Sequence, residues 1–223
     1  MHLYAAIVPP ASVLEAVADV VRTADVPVPA PTPDGPPPAR SPRFGRRSKQ
    51  ELNVEEPPAP SPVQGLQLDH VSPSRMQLPI ATFGNVAVSD VSRLVEAIRG
   101  VAATLTPPRL HLAGSAALEF PGDTSVWAKV NGDLDSLRRI PPGITQIVEP
   151  LGFFVDRRQF RPMLSVATIN DATSIEVLQQ VVDALDAFEG EPWAVGHVSL
   201  RKKRLDLDPP GSEEIASLPL APA

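Results

Sequence analysis

Proton-transfer chemistry near neutral pH needs side chains that titrate there, and this chain has few of them. It contains four histidines and no cysteine in 223 residues. The missing cysteine rules out disulfides, thiolate metal sites, iron–sulfur clusters and cysteine nucleophiles. His2 lies at the terminus, and His70 stands seven residues before Gln77. His111 and His197 each fall in a strand-like run, where a packed or solvent-facing role is the ordinary one. No His/Asp/Glu cluster has metal-ligand spacing, so no metal and no cofactor is expected. The phosphate-binding and nucleophile-elbow glycine patterns are absent as well. Glu55-Glu56 and Glu213-Glu214 read as solvated charge. Cationic side chains are better placed for binding. Arg40–Lys49 (RSPRFGRRSK) and Arg201–Arg204 (RKKR) are basic runs, although the net charge is −6. That net charge argues against bulk attraction to nucleic acid and leaves local patches open. The second run reads either as the wall of a nucleic-acid groove or as an exposed strand end that discourages edge pairing.

The elements that would position these groups can be read from periodicity. Leu3–Val8 is a short apolar run suited to a buried strand, and Pro9-Pro10 then opens a helix. Val13, Leu14, Val17, Val20 and Val21 recur at helical spacing. Twelve of the 28 prolines fall between Val26 and Pro62, which forbids regular helix or inner strand there. Residues 26–63 are therefore expected to form a disordered, proline-rich insertion. Met76–Phe83, Arg109–Leu118, Thr124–Asn131, Pro162–Ile169 and Trp193–Leu200 read as strands. Val91 to Val101 and Ile175 to Phe188 carry helical stripes, the second preceded by a capping-box pattern from Thr173 to Glu176. Leu134–Arg139 reads as a short helix ended by Pro141-Pro142-Gly143, and residues 206–223 as a tail. Interspersed strands and helices with short joints give an α+β fold with antiparallel sheets.

One strand–helix unit occurs twice. Gln77-Leu-Pro-Ile-Ala-Thr82 aligns with Met163-Leu-Ser-Val-Ala-Thr168, and an amphipathic helix follows each. Duplication predicts two pseudo-symmetric lobes around a central groove. By strand alternation, Leu78, Ile80, Leu164 and Val166 would face the core. Gln77, Pro79 and Ala81 would face Met163, Ser165 and Ala167 across the groove. Arg75 and Arg161 each stand two residues before the first groove-facing position of their strand. They are candidates for phosphate recognition.

Through LYAAIVPP (3–10), MQLPIATFGNV (76–86), RLHLAGSAALEFPGDTSVWAKV (109–130) and FRPMLSVAT (160–168), the chain resembles the 2H phosphoesterase superfamily. The likeness is to its bacterial 2′-5′ RNA ligase and RNA 2′,3′-cyclic phosphodiesterase group. It covers about residues 1–25 and 66–205 and implies a single bilobal domain over 1–25 and 64–205. It also implies two His-x-Thr motifs whose histidines act as general base and general acid on a 2′,3′-cyclic phosphate. Here both motifs are altered. The first histidine and threonine positions fall on Gln77 and Pro79, the second on Met163 and Ser165. An arginine common after the second motif falls on Thr168. Only Ser165 keeps the expected chemistry.

The expectation is therefore a non-catalytic member, a pseudoenzyme holding RNA ends, a nucleotide or a partner in the remnant groove. Its ligand-binding candidates are Gln77, Ser165, Arg75 and Arg161. The alternatives are an active cyclic phosphodiesterase using substituted residues, or a scaffold that recruits a protein partner through the proline-rich arm. No run of 18 apolar residues occurs, so no membrane contact is expected; the absence of disulfides suits a cytoplasmic protein, and a monomer is expected. Alanine, proline and valine richness points to a high-GC bacterium.

Overall fold

The computed structural model describes residues 1–26, 67–118, 122–156, 160–207 and 210–222. The expected insertion, with the Arg40–Lys49 basic run, lies almost wholly outside the described residues.

Nine strands and four α-helices alternate along the described chain. They run β1 (His2–Ile7), α1 (Ala11–Ala24), β2 (Leu68–His70), β3 (Leu78–Asn85), α2 (Val91–Ala102), β4 (Arg109–Ala117) and β5 (Ser125–Gly132). Then come α3 (Leu134–Val148), β6 (Met163–Ile169), α4 (Ile175–Ala187), β7 (Trp193–Ala194), β8 (His197–Arg204) and β9 (Gly211–Pro219). Two antiparallel sheets result, one ordered β3-β1-β8-β9 and the other β2-β6-β5-β4-β7. The fold is α+β with two lobes, as the duplicated unit predicts. Among the described residues, no helix is long and apolar enough to cross a membrane.

Helices cover one face of each sheet. α2 and α3 pack together beside β3, β8 and β9, and α1 and α4 pack together over β2, β4 and β6. Their stripes are the buried ones: Leu94 and Ile98 in α2, Ile140 and Ile144 in α3, Val177 and Val181 in α4. The chain changes lobes as it runs, since β1 belongs to the four-stranded sheet while α1 packs on the other.

Several local expectations are corrected. Residues 206–223 are not simply a tail, because β9 pairs with β8 from His197↔Pro219 to Arg204↔Gly211. The Arg201–Arg204 run therefore lies inside the sheet instead of marking its edge. The single strand expected over Trp193–Leu200 is two strands in different sheets, with Val195-Gly196 crossing between the lobes. The α3 helix continues through Pro141 and Pro142. Burial of Ile144 and Val148 on the same stripe as Leu137 and Ile140 outweighs the lost backbone bonds. In α4 the N-cap is Ser174, whose hydroxyl accepts from the Val177 amide, while the Thr173 hydroxyl donates to the Gln67 carbonyl.

Alternation along the two duplicated strands is broken at the same place. Ala5 pairs with Ala81 and Ala6 with Pro79, so Ile80 is an extra residue in β3. Val126 pairs with Ala167 and Trp127 with Ser165, so Val166 is an extra residue in β6. Each bulge falls three residues after the substituted histidine position. It turns Ala167 inward to full burial instead of toward the groove.

Asp25, just past α1, is 2% exposed and fastens the end of that helix to β2. Its carboxylate accepts from the Gln67 amide at 2.9 Å, the Leu68 amide at 3.1 Å and His70 Nε2 at 2.8 Å.

If β9 is part of the core, Leu218→Ala should cost about 2–5 kcal/mol in urea unfolding, the range for a buried leucine. A change below about 0.5 kcal/mol, typical of a loose surface segment, would contradict this packing.

Candidate anion-binding groove

Between the uncovered faces of the two sheets lies a cavity of about 600 Å³. It brings together Arg75, Gln77, Pro79, Arg161 and Met163, five of the six residues singled out from the sequence. The sixth, Ser165, is half-buried and does not line it; Trp127, directly opposite Ser165 in register, holds the lining position instead.

Each lining group has a structural origin. Arg75 ends a short 3-10 turn, Pro73–Arg75, whose fixed proline starts the approach to β3. It is exposed and has no ion-pair partner among the described residues. Arg161 precedes β6, and its carbonyl accepts from the Met163 amide at 2.8 Å. Asp156 donates its amide to the Thr82 carbonyl at 2.9 Å, which ties the α3–β6 connection to β3 at the groove. The bulge at Ile80 lets Ile80, Ala81 and Thr82 all reach the cavity wall.

At the substituted first motif, Gln77 Nε2 donates to the Tyr4 hydroxyl at 2.5 Å. Tyr4 lies opposite Thr82 on one side and Arg201 on the other. The Lys203 ammonium sits 5.9 Å from the Tyr4 ring centroid, within cation–π range. Among the described lining residues, three cations (Arg75, Arg161 and Lys203) face one carboxylate, Asp156. Trp127 and Phe160 add aromatic surface, and Trp127 Nε1 donates to Asp123 at 2.9 Å.

None of the four histidines lines this groove. His70 is held by Asp25 and pairs in register with the buried Ala167, on the helix-covered side. His111 lies in β4 opposite Asn131. His197 starts β8, away from the cavity. His2 shares the Tyr4 side of β1, with its Nε2 shut off from solvent and lacking a partner among the described residues. Burial, Lys203 and the terminal ammonium, in that order, push the His2 pKa below its ordinary 6.5.

The RKKR run divides by alternation. Lys203 points into the groove, while Arg204 turns away to bond Asp206 and Glu213 in the β8–β9 hairpin. Hydrogen bonding to Arg204 holds the Asp206 carboxyl down at about 2.

Tyr4, Trp127 and Phe160 were not singled out from the sequence, and Lys203 was named only within the RKKR run, one reading of which was a groove wall. Tyr4 carried a signal, being the one polar-tipped aromatic in an otherwise apolar buried strand. Lys203 needed the register of β8, which the sequence does not print.

No family model matches the chain. Over 98 residues it is 26% identical to an RNA 2′,3′-cyclic phosphodiesterase of Aeropyrum pernix; the match covers 44% of this chain and little more than half of that protein, 56%. The solved structure of TT0787 from Thermus thermophilus superposes with a TM-score of 0.62, at 15% identity over 99% of this chain and 98% of that one. LigT of E. coli, solved with 3′-AMP, superposes with a TM-score of 0.62 at 13% identity over the same shares. LigT has also been solved with NADP+ and with ATP.

A proton taken up by His2 is disfavoured in the folded state and free to bind in the unfolded one. Stability should therefore fall as pH drops through and below 6.5. Urea melts between about pH 7 and pH 5 should show a shallower loss for His2→Gln than for the wild type; equal slopes would remove His2 from the acid response. With the groove between its two sheets and the duplicated strands lining it from both sides, this chain has the bilobal fold of TT0787 and E. coli LigT.

Proposed function

We propose that this protein binds the phosphate end of an RNA or a nucleotide in the central groove and does not cleave it. The reading is carried by the substituted positions themselves. Gln77, Pro79 and Met163 face a cavity that three cations line and no histidine enters. A glutamine amide has no proton to exchange at neutral pH, and a thioether has none at all. Loss of each general acid or base lowers a rate by about 10²–10⁴. What remains is binding chemistry. Guanidinium and ammonium groups attract phosphate, and Trp127 and Phe160 offer flat faces on which a base can stack. The groove is open instead of being plugged by Met163, which favours a ligand-binding role over a scaffold acting only through the proline-rich segment. The nucleotides held by LigT in its solved structures support the same class of ligand.

A 2′,3′-cyclic phosphate mononucleotide and an RNA carrying that end provide the test. The wild type should be inert, and the Gln77→His/Pro79→Thr/Met163→His variant should gain turnover. Turnover by the wild type well above a Ser165→Ala control would sink the non-catalytic reading. In equilibrium binding of 3′-AMP, Arg75→Ala and Arg161→Ala should each weaken affinity about tenfold or more, the worth of a charge-assisted contact. Unchanged affinity in both variants would place the phosphate elsewhere.

A further inference from the structure

A second cavity, of about 460 Å³, lies on the same face of the four-stranded sheet. Pro9, Pro10, Trp193, His197, Arg201 and Glu214 are among the residues that line it. Register fixes its relation to the central groove. Arg201 stands directly opposite Tyr4, which lines the groove, and Lys203, also in the groove, lies two residues further along β8. The two cavities therefore adjoin at the Tyr4–Arg201 border.

Arg201 is built into that border. Its side chain is 14% exposed, its Nε donates to Ser212 Oγ at 3.0 Å, and its Nη1 lies 3.7 Å from Glu214. Ser212 itself lines the central groove. Cations at alternate positions of one strand stand about 6.6 Å apart, a step suited to successive phosphates of an extended single strand. Beyond Arg201 the chemistry changes. Glu214 offsets the arginine, so the second cavity is close to neutral, with proline and indole walls. Trp193 is 7% exposed, and its Nε1 is shut off from solvent and has no partner among the described residues. Trp127, in the central groove, has its own N–H satisfied by Asp123. The Trp193 N–H is closed off, so this indole offers the cavity apolar surface and no donor.

We propose that this cavity is a subsite for a second nucleoside of single-stranded RNA, the linking phosphate lying at the Lys203–Arg201 step. The proposal rests on the nucleotide reading of the central groove and extends it from one residue to two.

Calorimetry with 3′-AMP and with 3′-phosphorylated ApA separates the two claims. The dinucleotide should bind roughly tenfold tighter, the worth of one stacked base. Arg201→Gln should abolish that gain, and His197→Ala should reduce it while changing 3′-AMP affinity by less than about threefold, since the His197 side chain does not line the central groove. The chain has two tryptophans, one in each cavity, which supplies a local readout. In Trp127→Phe, the remaining Trp193 emission should respond to the dinucleotide and stay unmoved by 3′-AMP. Equal affinities, or a tightly bound dinucleotide that leaves Trp193 silent, would overturn the subsite and leave the central-groove reading standing. Failure of both ligands to bind would overturn both.

Discussion

A strand side chain has two destinations, and in each lobe helices occupy one of them. Everything this protein can present to a ligand must come from the other face. The extra residue at Ile80 and at Val166 modifies that rule at matched points of the duplicated unit. Before each bulge, Gln77 and Met163 reach the groove; after it, the alternation is reset, so that Thr82 joins the groove and Ala167 turns into the core. A repeated bulge is a stronger sign of internal duplication than six aligned residues, because it reproduces a departure from regular geometry.

The two lobes are not separable parts. β1 lies inside one sheet while the helix it feeds covers the other, and the short segment after β7 carries the chain back across. The groove wall is consequently built from strands that also hold the lobes together. Tyr4 shows the coupling in one residue: its backbone pairs on both sides within the sheet, its ring packs near Lys203, and its hydroxyl receives Gln77. A glutamine anchored in this way is positioned by the core and not by a ligand.

Helical stripes in α1, α2 and α4 were legible because burial there follows a simple period. So was the meeting of Gln77, Met163, Arg75 and Arg161, which needed only the duplicated strand and alternation. Three features escaped for physical reasons. β9 has few apolar positions, with Leu218 the fully buried one, and becomes a strand because β8 supplies an open edge. α3 passes a proline pair that local rules treat as a stop, because its far end buries two more core residues. The bulges leave no mark in residue type, since isoleucine and valine suit either face. Groove members outside the motif strands, such as Trp127 and Lys203, depended on register between distant segments and so could not be read locally.

Asp25 makes one corner of the fold depend on a single side chain. Its buried carboxylate accepts two backbone amides and a histidine, joining the end of α1 to β2. Without it the Gln67 and Leu68 amides would stay buried with no acceptor, the costliest way to lose a hydrogen bond. The carboxylate is thus a keystone, tying a helix that covers the five-stranded sheet to the edge strand of that same sheet.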